Sequence, residues 1–271
     1  MAGLPLALTI AGSDSGGGAG IQADLKTFSA LKVFGMSVIT ALTAQNTLGV
    51  QGIYDISPEF VCQQIDSIFQ DMGADAVKTG MLSNSSTILL VAQKMREYKV
   101  GKLVVDPVMV AKGGDRLLKE EAESTLKEVL LPLCLVVTPN IPEAEVISGI
   151  SIRSLREMKE AARIIHQKGA KNVVLKGGHL EGNQSTDLLY DGQNFRELSA
   201  PRINTANTHG TGCTFASAIT AYLARGSGLE EAVEKAKQYL TNILELSVSL
   251  NIGKGVGPLN HLANLYTLNK K

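Results

Sequence analysis

The chain has 271 residues, 44% of them hydrophobic, enough to bury one large core or two modest ones, which excludes disorder as its default state. Its 26 basic and 26 acidic residues cancel, leaving no net electrostatic footprint for nucleic acid or a membrane surface and pointing to small-molecule partners. Asp14, Asp24 and Lys26 interrupt the apolar N-terminal runs and residues 1–5 carry no basic group, so neither a signal peptide nor a membrane span is expected and the setting reads as cytosolic.

Residues 6–10 form a short apolar run that reads as a buried strand, and 21–31 carry apolar residues at helical spacing. Strand runs recur at 37–44, 76–79, 103–106, 135–138 and 173–176, with helical patterns between them at 58–70, 87–98, 120–130 and 155–168. This alternation predicts an α/β fold: a mostly parallel sheet with helices on both faces. Two further runs, 187–190 and 195–198, flank Asp191-Gly192 and predict a β-hairpin. Helical spacing returns over 214–225 and 229–250. No fixed-period repeat, charge block or linker interrupts the pattern, so a single domain over 1–271 is the simplest reading. In such sheets ligands gather at the carboxyl ends of the strands, and the unusual residues collect in the loops that follow these runs.

Cys62, Cys134 and Cys213 are too few and too scattered for a disulfide framework and form no C-x-x-C pair. Histidines 166, 179, 209 and 261 give no H-E-x-x-H arrangement, so reduced thiols and a carboxylate-held metal are the expectations. The segment Asn207-Thr208-His209-Gly210-Thr211-Gly212-Cys213-Thr214-Phe215 sets two glycines directly before a helix rich in Ala and Ser. Unpaired N–H groups and a positive dipole end at that point suit an anion, although an ordinary turn into a helix has the same pattern. A P-loop is excluded, because 73–79 ends in Lys-Thr but has Val77 where the second glycine belongs. Residues 18–23 match the dinucleotide pattern, but they begin eight residues after the first strand run and no acidic residue closes the second, so that match is set aside.

Seven segments together resemble the hydroxymethylpyrimidine/phosphomethylpyrimidine kinases of the ribokinase-like superfamily. They are 7–24 (ALTIAGSDSGGGAGIQAD), 43–47 (TAQNT), 78–81 (KTGM), 105–109 (VDPVM), 138–143 (TPNIPE), 176–179 (KGGH) and 209–213 (HGTGC), and the resemblance runs essentially from end to end. It implies a ribokinase-like fold, ATP and Mg²⁺ as cofactors, a homodimer, and successive phosphorylation of a hydroxymethylpyrimidine and its monophosphate. It also implies that Gly210, Thr211, Gly212 and Cys213 form the catalytic anion hole, with Cys213 standing where most of the superfamily carries an aspartate base. A thiol begins near a pKa of about 8.5 and is lowered at a helix N-terminus, so a thiolate fraction is expected there; a small buried residue is the plainer reading.

Asp106, which closes a strand run, and Glu143 of Asn140-x-x-Glu143 resemble the superfamily's magnesium motif. Hard oxygen ligands suit an ion that keeps waters and substrate phosphates in its shell. The residues alone equally allow Asn140 to cap a helix starting near Pro142, with Glu143 as a first-turn acid. Lys176, Asn140 and Thr208 are the expected nucleotide contacts, with a solvated strand-end lysine the plainer reading of Lys176, and 111–115 reads as a lid or a surface loop. Asp24, Gln45, Met81 and Val108 follow the first four strand runs and, by the resemblance, surround the pyrimidine. Gln45 would both donate and accept, and Asp24 accept; Met81 fills gaps as readily as it contacts a ligand. Pyridoxine or pyridoxal kinase activity on the same fold, and a nucleotide-binding regulator without turnover, remain the competing readings.

Overall fold

The structure is a computed structural model and describes residues 3–110, 117–119, 121–178, 180 and 182–263. The expected lid, 111–115, and His179 lie outside the described residues. Nine strands form one sheet: β1 (Leu6–Asp14), β2 (Phe34–Asn46), β3 (Gly49–Asp55), β4 (Ala76–Thr79), β5 (Leu103–Val105), β6 (Val136–Val137), β7 (Val173–Leu175), β8 (Gln184–Tyr190) and β9 (Phe195–Pro201). Their order is β3-β2-β1-β4-β5-β6-β7-β8-β9. The central strands β2, β1, β4, β5, β6 and β7 run parallel, while β3 at one edge and the β8–β9 hairpin at the other join through antiparallel pairs. This is the expected mostly parallel α/β architecture, with the hairpin around Asp191-Gly192 in place as β8 and β9.

Side chains alternate across the pleat, so each central strand feeds two cores. Leu8, Ile10, Leu103, Val105, Val173 and Leu175 pack on one face with α2 (Pro58–Phe69), α3 (Ser85–Glu97), α5 (Ile141–Ser148) and α6 (Leu155–Gln167). Ala7, Val104 and Val174 pack on the other with α1 (Gly20–Ala30), α7 (Thr211–Ala224) and α8 (Leu229–Ser247). Burial on both faces explains the continuous apolar runs that marked these strands in the sequence.

Three departures have local causes. β1 continues past Ile10 to Asp14, with a register shift against β2 between Ala11 and Ser13. Its polar end pairs at the strand tip, which an apolar run does not reveal. β3 has no buried residue and so lacks the buried alternation that marks a strand. The predicted helix at 120–130 is a short α4 (Glu121–Thr125) followed by a π-helical turn (Leu126–Leu130) and a 3-10 turn (Leu131–Leu133) that contains Pro132. Among the described residues no helix is long and apolar enough to cross a membrane.

Candidate active site

The first turn of α7 carries the candidate anion hole. Gly210, its N-cap, has φ +81°, and a Cβ there would collide with the carbonyl oxygen of Gly18, so only glycine fits. α7 packs across β1, β4 and β5. Its N-terminus thereby meets residues at the carboxyl edge of the sheet: a Cβ on Gly212 would lie 3.2 Å from Lys176 Nζ and 3.9 Å from Asp106 Oδ2. Thr211 is turned back on the loop before it, donating its hydroxyl to the Thr208 carbonyl at 2.6 Å.

A charged cluster lies beside these amides. Lys176 Nζ donates to Asp106 Oδ1 at 2.9 Å, and the Thr138 hydroxyl donates to the same oxygen at 3.2 Å. Burial works against the Lys176 charge, but Asp106 and Glu143 outweigh it and hold the ammonium above its usual range. Asn140 bridges to Lys176 in the sheet and forms a reciprocal capping box on α5: Glu143 N–H donates to Asn140 Oδ1 at 2.9 Å and Asn140 N–H to Glu143 Oε2 at 2.8 Å. The capping reading of Asn140 and Glu143 thus describes the structure, and the cap lies beside Lys176. Burial, with Asp106 adding to it and Lys176 opposing, pushes the Glu143 carboxyl up to about 7.

No group of three or more His, Cys, Asp and Glu side chains disposed to hold a metal exists among the described residues. The donor set nevertheless fits Mg²⁺. Two buried carboxylates, Glu143 pushed toward protonation first by burial and then by Asp106, would be relieved by a divalent cation that keeps waters and phosphate oxygens among its ligands.

Cys213 lies where the starts of α1 and α7 meet, with Gly20 N–H and Lys78 favouring its thiolate. The expected lowering of its pKa is nevertheless overturned. Burial, aided by the charges of Asp24 and Asp106, outweighs Lys78 and the Gly20 N–H and pushes the thiol up to about 11.

Asp24 is a second correction. Its carboxylate is 0% exposed and receives Lys78 Nζ on both oxygens at 2.8 Å, the Thr9 hydroxyl at 2.6 Å and the Ser217 hydroxyl at 2.5 Å. With both oxygens engaged twice, no acceptor remains for a ligand amine, and Asp24 supports Lys78 from behind the site. The other three residues expected around the acceptor lie at the carboxyl ends of β2, β4 and β5. Gln45 is half-buried near the tip of β2, Val108 is half-buried two residues after Asp106, and Met81 is buried, its sulfur 3.0 Å from where a Cβ on Gly12 would stand.

Lys78, Asp14 and His209 belong to this region without having been assigned roles from sequence. Lys78 was detectable: a lysine inside the four-residue strand Ala76–Thr79, every position of which is buried, has to be paired. Asp14 Oδ2 lies 2.9 Å from His209 Nε2 and accepts N–H bonds from Gly18 and Ala19, while Oδ1 accepts from Gly16. The first glycine loop does lie between a strand and a helix, closer than the sequence spacing suggested, but its amides serve Asp14 and not a dinucleotide phosphate.

The phosphomethylpyrimidine kinase family matches residues 14–260. The chain belongs to that family. It is 54% identical over 258 residues to the hydroxymethylpyrimidine/phosphomethylpyrimidine kinase of Bacillus subtilis (strain 168), covering 95% of this chain and 94% of that protein. It is 56% identical over 255 residues to the thiamine biosynthesis bifunctional protein ThiED of Geobacter sulfurreducens, covering 94% of this chain but 52% of that protein, so it spans about half the length of that relative. The crystal structure of an ADP complex of Bacillus subtilis pyridoxal kinase superposes with a TM-score of 0.90 at 41% identity, covering 97% of this chain and all of that one. The fold is thus ribokinase-like, and this family member is a kinase, a phosphotransferase acting on a small molecule.

Proposed function

We propose that this kinase transfers the γ-phosphate of ATP to the hydroxymethyl oxygen of 4-amino-5-hydroxymethyl-2-methylpyrimidine, and then phosphorylates the monophosphate to the diphosphate, in thiamine biosynthesis. The observation that carries this reading is the start of α7, where the Gly212 backbone lies against Lys176 and Asp106 with Cys213 next in the chain. Phosphoryl transfer asks mainly for positioning and charge stabilisation, and amides at a helix start beside a lysine supply both.

In this mechanism the Gly210–Cys213 segment holds the transferring phosphoryl group, while Lys176, Asn140 and Thr208 contact the nucleotide. Gln45, Met81 and Val108 hold the pyrimidine. Asp106 and Glu143 would hold Mg²⁺, which when bound neutralises charge on the phosphate oxygens. As the acceptor oxygen bonds to the γ-phosphorus, the bond from phosphorus to the bridging oxygen breaks and ADP leaves with that electron pair. The hydroxyl proton passes to Cys213 in its thiolate form, the minor form in a site where burial pushes the thiol up to about 11. Lys78 and the Gly20 N–H favour that thiolate.

One continuous nine-stranded sheet supports a single kinase domain over 1–271. Three free cysteines support a cytoplasmic setting. A homodimer is supported by the apolar edge where Leu42, Leu48, Ile53 and Tyr54 are 44%, 67%, 42% and 71% exposed. Pyridoxal kinase activity is less supported, because identity is higher to the pyrimidine kinase of Bacillus subtilis, 54%, than to its pyridoxal kinase, 41%.

The test is product analysis with ATP, Mg²⁺ and a panel of the hydroxymethylpyrimidine, its monophosphate, pyridoxine and ribose. Both pyrimidines should yield phosphorylated products with stoichiometric ADP, pyridoxine should react more slowly and ribose not at all. Phosphorylation of pyridoxine alone, or nucleotide binding without turnover, overturns the proposal.

A further inference from the structure

Beside Gln45 lies a carboxylate–imidazole pair that the mechanism above does not use. Asp14 is 2% exposed, and His209 Nε2 stands 2.9 Å from its Oδ2. Burial raises the Asp14 carboxyl, but the bond from His209 and the N–H groups of Ala19 and Gly16 outweigh it and hold the group below the usual carboxylate range. Facing an ionised acceptor, Nε2 of His209 must carry a proton; the other tautomer would set a lone pair against a carboxylate.

His209 is held on several sides. Its backbone N–H donates to the Gly257 carbonyl at 2.9 Å, and a Cβ on Gly18 would collide with its ring. The ring therefore has little room to turn, and its Nε2 lies 3.4 Å from Gln45 Nε2.

Two N–H groups at that separation oppose each other. The other arm of the amide is under a matching constraint, since Gln45 Oε1 lies 3.1 Å from Thr43 Oγ1, whose hydroxyl also lies 2.8 Å from the Ser13 carbonyl. A hydroxyl has one proton, and a carbonyl can only accept, so the Thr43 proton belongs to Ser13. Half a turn of the Gln45 amide removes both conflicts: NH₂ donates to Thr43, and the amide oxygen faces the one Nε2 proton of His209, sharing it with Asp14 as the longer arm of a three-centre bond.

We infer that Asp14 and His209 are positioning residues that set the orientation of the Gln45 amide, and with it the order of donor and acceptor shown to the ring of the acceptor substrate. The inference rests on the proposal that Gln45 contacts that ring. An aminopyrimidine, with a ring nitrogen that accepts beside an amine that donates, matches an amide in one orientation only. A pyridine ring bearing a hydroxyl in place of that amine does not present the same pair. The Asp14–His209 pair is thus a specificity device placed one residue before the anion hole.

The experiment compares His209→Leu and His209→Gln, alone and with Gln45→Leu, by steady-state kinetics with the hydroxymethylpyrimidine and with pyridoxine. Glutamine can place an amide nitrogen near the position of Nε2, so His209→Gln should keep most of the preference. In His209→Leu, KM for the pyrimidine should rise several-fold, as expected from losing the oriented amide, with a much smaller change in kcat. The pyrimidine-to-pyridoxine ratio of kcat/KM should fall by a similar factor. In the Gln45→Leu background, His209→Leu should add almost nothing.

Equal losses with both acceptors at an unchanged ratio, or additive effects of the two changes, would overturn the inference and leave His209 as a support for the neighbouring glycines. The parental protein separates this from the function itself. If it phosphorylates pyridoxine and not the pyrimidine, the proposed function fails, while coupling between 45 and 209 in KM still tests the pair.

Discussion

Cys213 sits at the start of a helix with Lys78 nearby, yet burial and two carboxylates leave its thiol protonated, pushed up to about 11. If its thiolate is the base, the competent fraction grows about ten-fold for each pH unit below that value. We expect kcat for the pyrimidine to rise with pH between about 6.5 and 9. Cys213→Ala should flatten the profile and lower kcat by about 10² or more at its upper end. Cys213→Ser should resemble Ala, because a hydroxyl holds its proton more tightly than a thiol. A parental profile as flat as that of Cys213→Ala would remove Cys213 from proton transfer. Glu143 makes a separate claim, since it both caps α5 and faces Asp106 and Lys176. Glutamine keeps an oxygen for the Asn140 N–H but loses the charge. Glu143→Gln should therefore fold with an unchanged or slightly raised Tm, while the Mg²⁺ concentration for half-maximal rate rises several-fold and excess Mg²⁺ restores part of the activity. Superimposable Mg²⁺ titrations would confine Glu143 to its capping role.

At the scale of elements, the start of α7 depends on Gly210, whose φ of +81° and close approach to the Gly18 carbonyl leave no room for a side chain. Gly210→Ala combines left-handed strain, about 1 kcal/mol or more, with a backbone collision that only a shift of the first glycine loop relieves. We expect a lower Tm together with a loss in kcat of at least about ten-fold, because the same shift displaces the amides around the phosphoryl group. Full activity in a destabilised Gly210→Ala protein would show that these amides do not hold the reacting group. The elements themselves were legible wherever burial was two-sided. Ala76–Thr79 was read with its observed limits, and the strands at Leu103–Val105 and Val173–Leu175 to within one residue. Legibility failed where burial was partial or composition misleading. β3 shows no clean alternation, and the helical spacing after 120 conceals a π-helical turn leading to Pro132. The glycine segment before α7 could be read because a turn that approaches phosphate needs those residue types, whatever the rest of the chain does.

Long-range pairing is what no local pattern supplies, and the buried network of Asp24 shows what this conceals. Asp24 follows the first strand and looked like a pocket residue, but its partners come from β1, β4 and α7, the last of them 193 residues away. Thr9, Asp24, Lys78 and Ser217 stitch the sheet to the α1 and α7 layer, beside Cys213. A buried ion pair of this kind adds little net stability over a neutral pair of the same shape, but breaking one side leaves a charge in a dry site at a cost of about 3–5 kcal/mol. For a chain of this size each kcal/mol shifts Tm by roughly 2–4 °C, so Asp24→Asn and Lys78→Met should each lower Tm by roughly 10 °C. Combining them removes both charges while the new amide at position 24 keeps hydrogen bonds to Thr9 and Ser217, and the double variant should regain at least half of the lost stability. Activity should not follow. Lys78 lowers the Cys213 pKa and Asp24 raises it, Lys78 the more strongly, so the stable double variant, which loses both charges, should retain a kcat deficit at neutral pH, smaller than that of Lys78→Met alone. The deficit should shrink as pH rises and the thiolate forms without help from Lys78. Thermal unfolding and pH-resolved kinetics on the four proteins separate the two roles: recovered stability with parental kcat would make Lys78 a structural residue alone, whereas failure of the double variant to recover stability would mean that the ion pair itself holds the layers together.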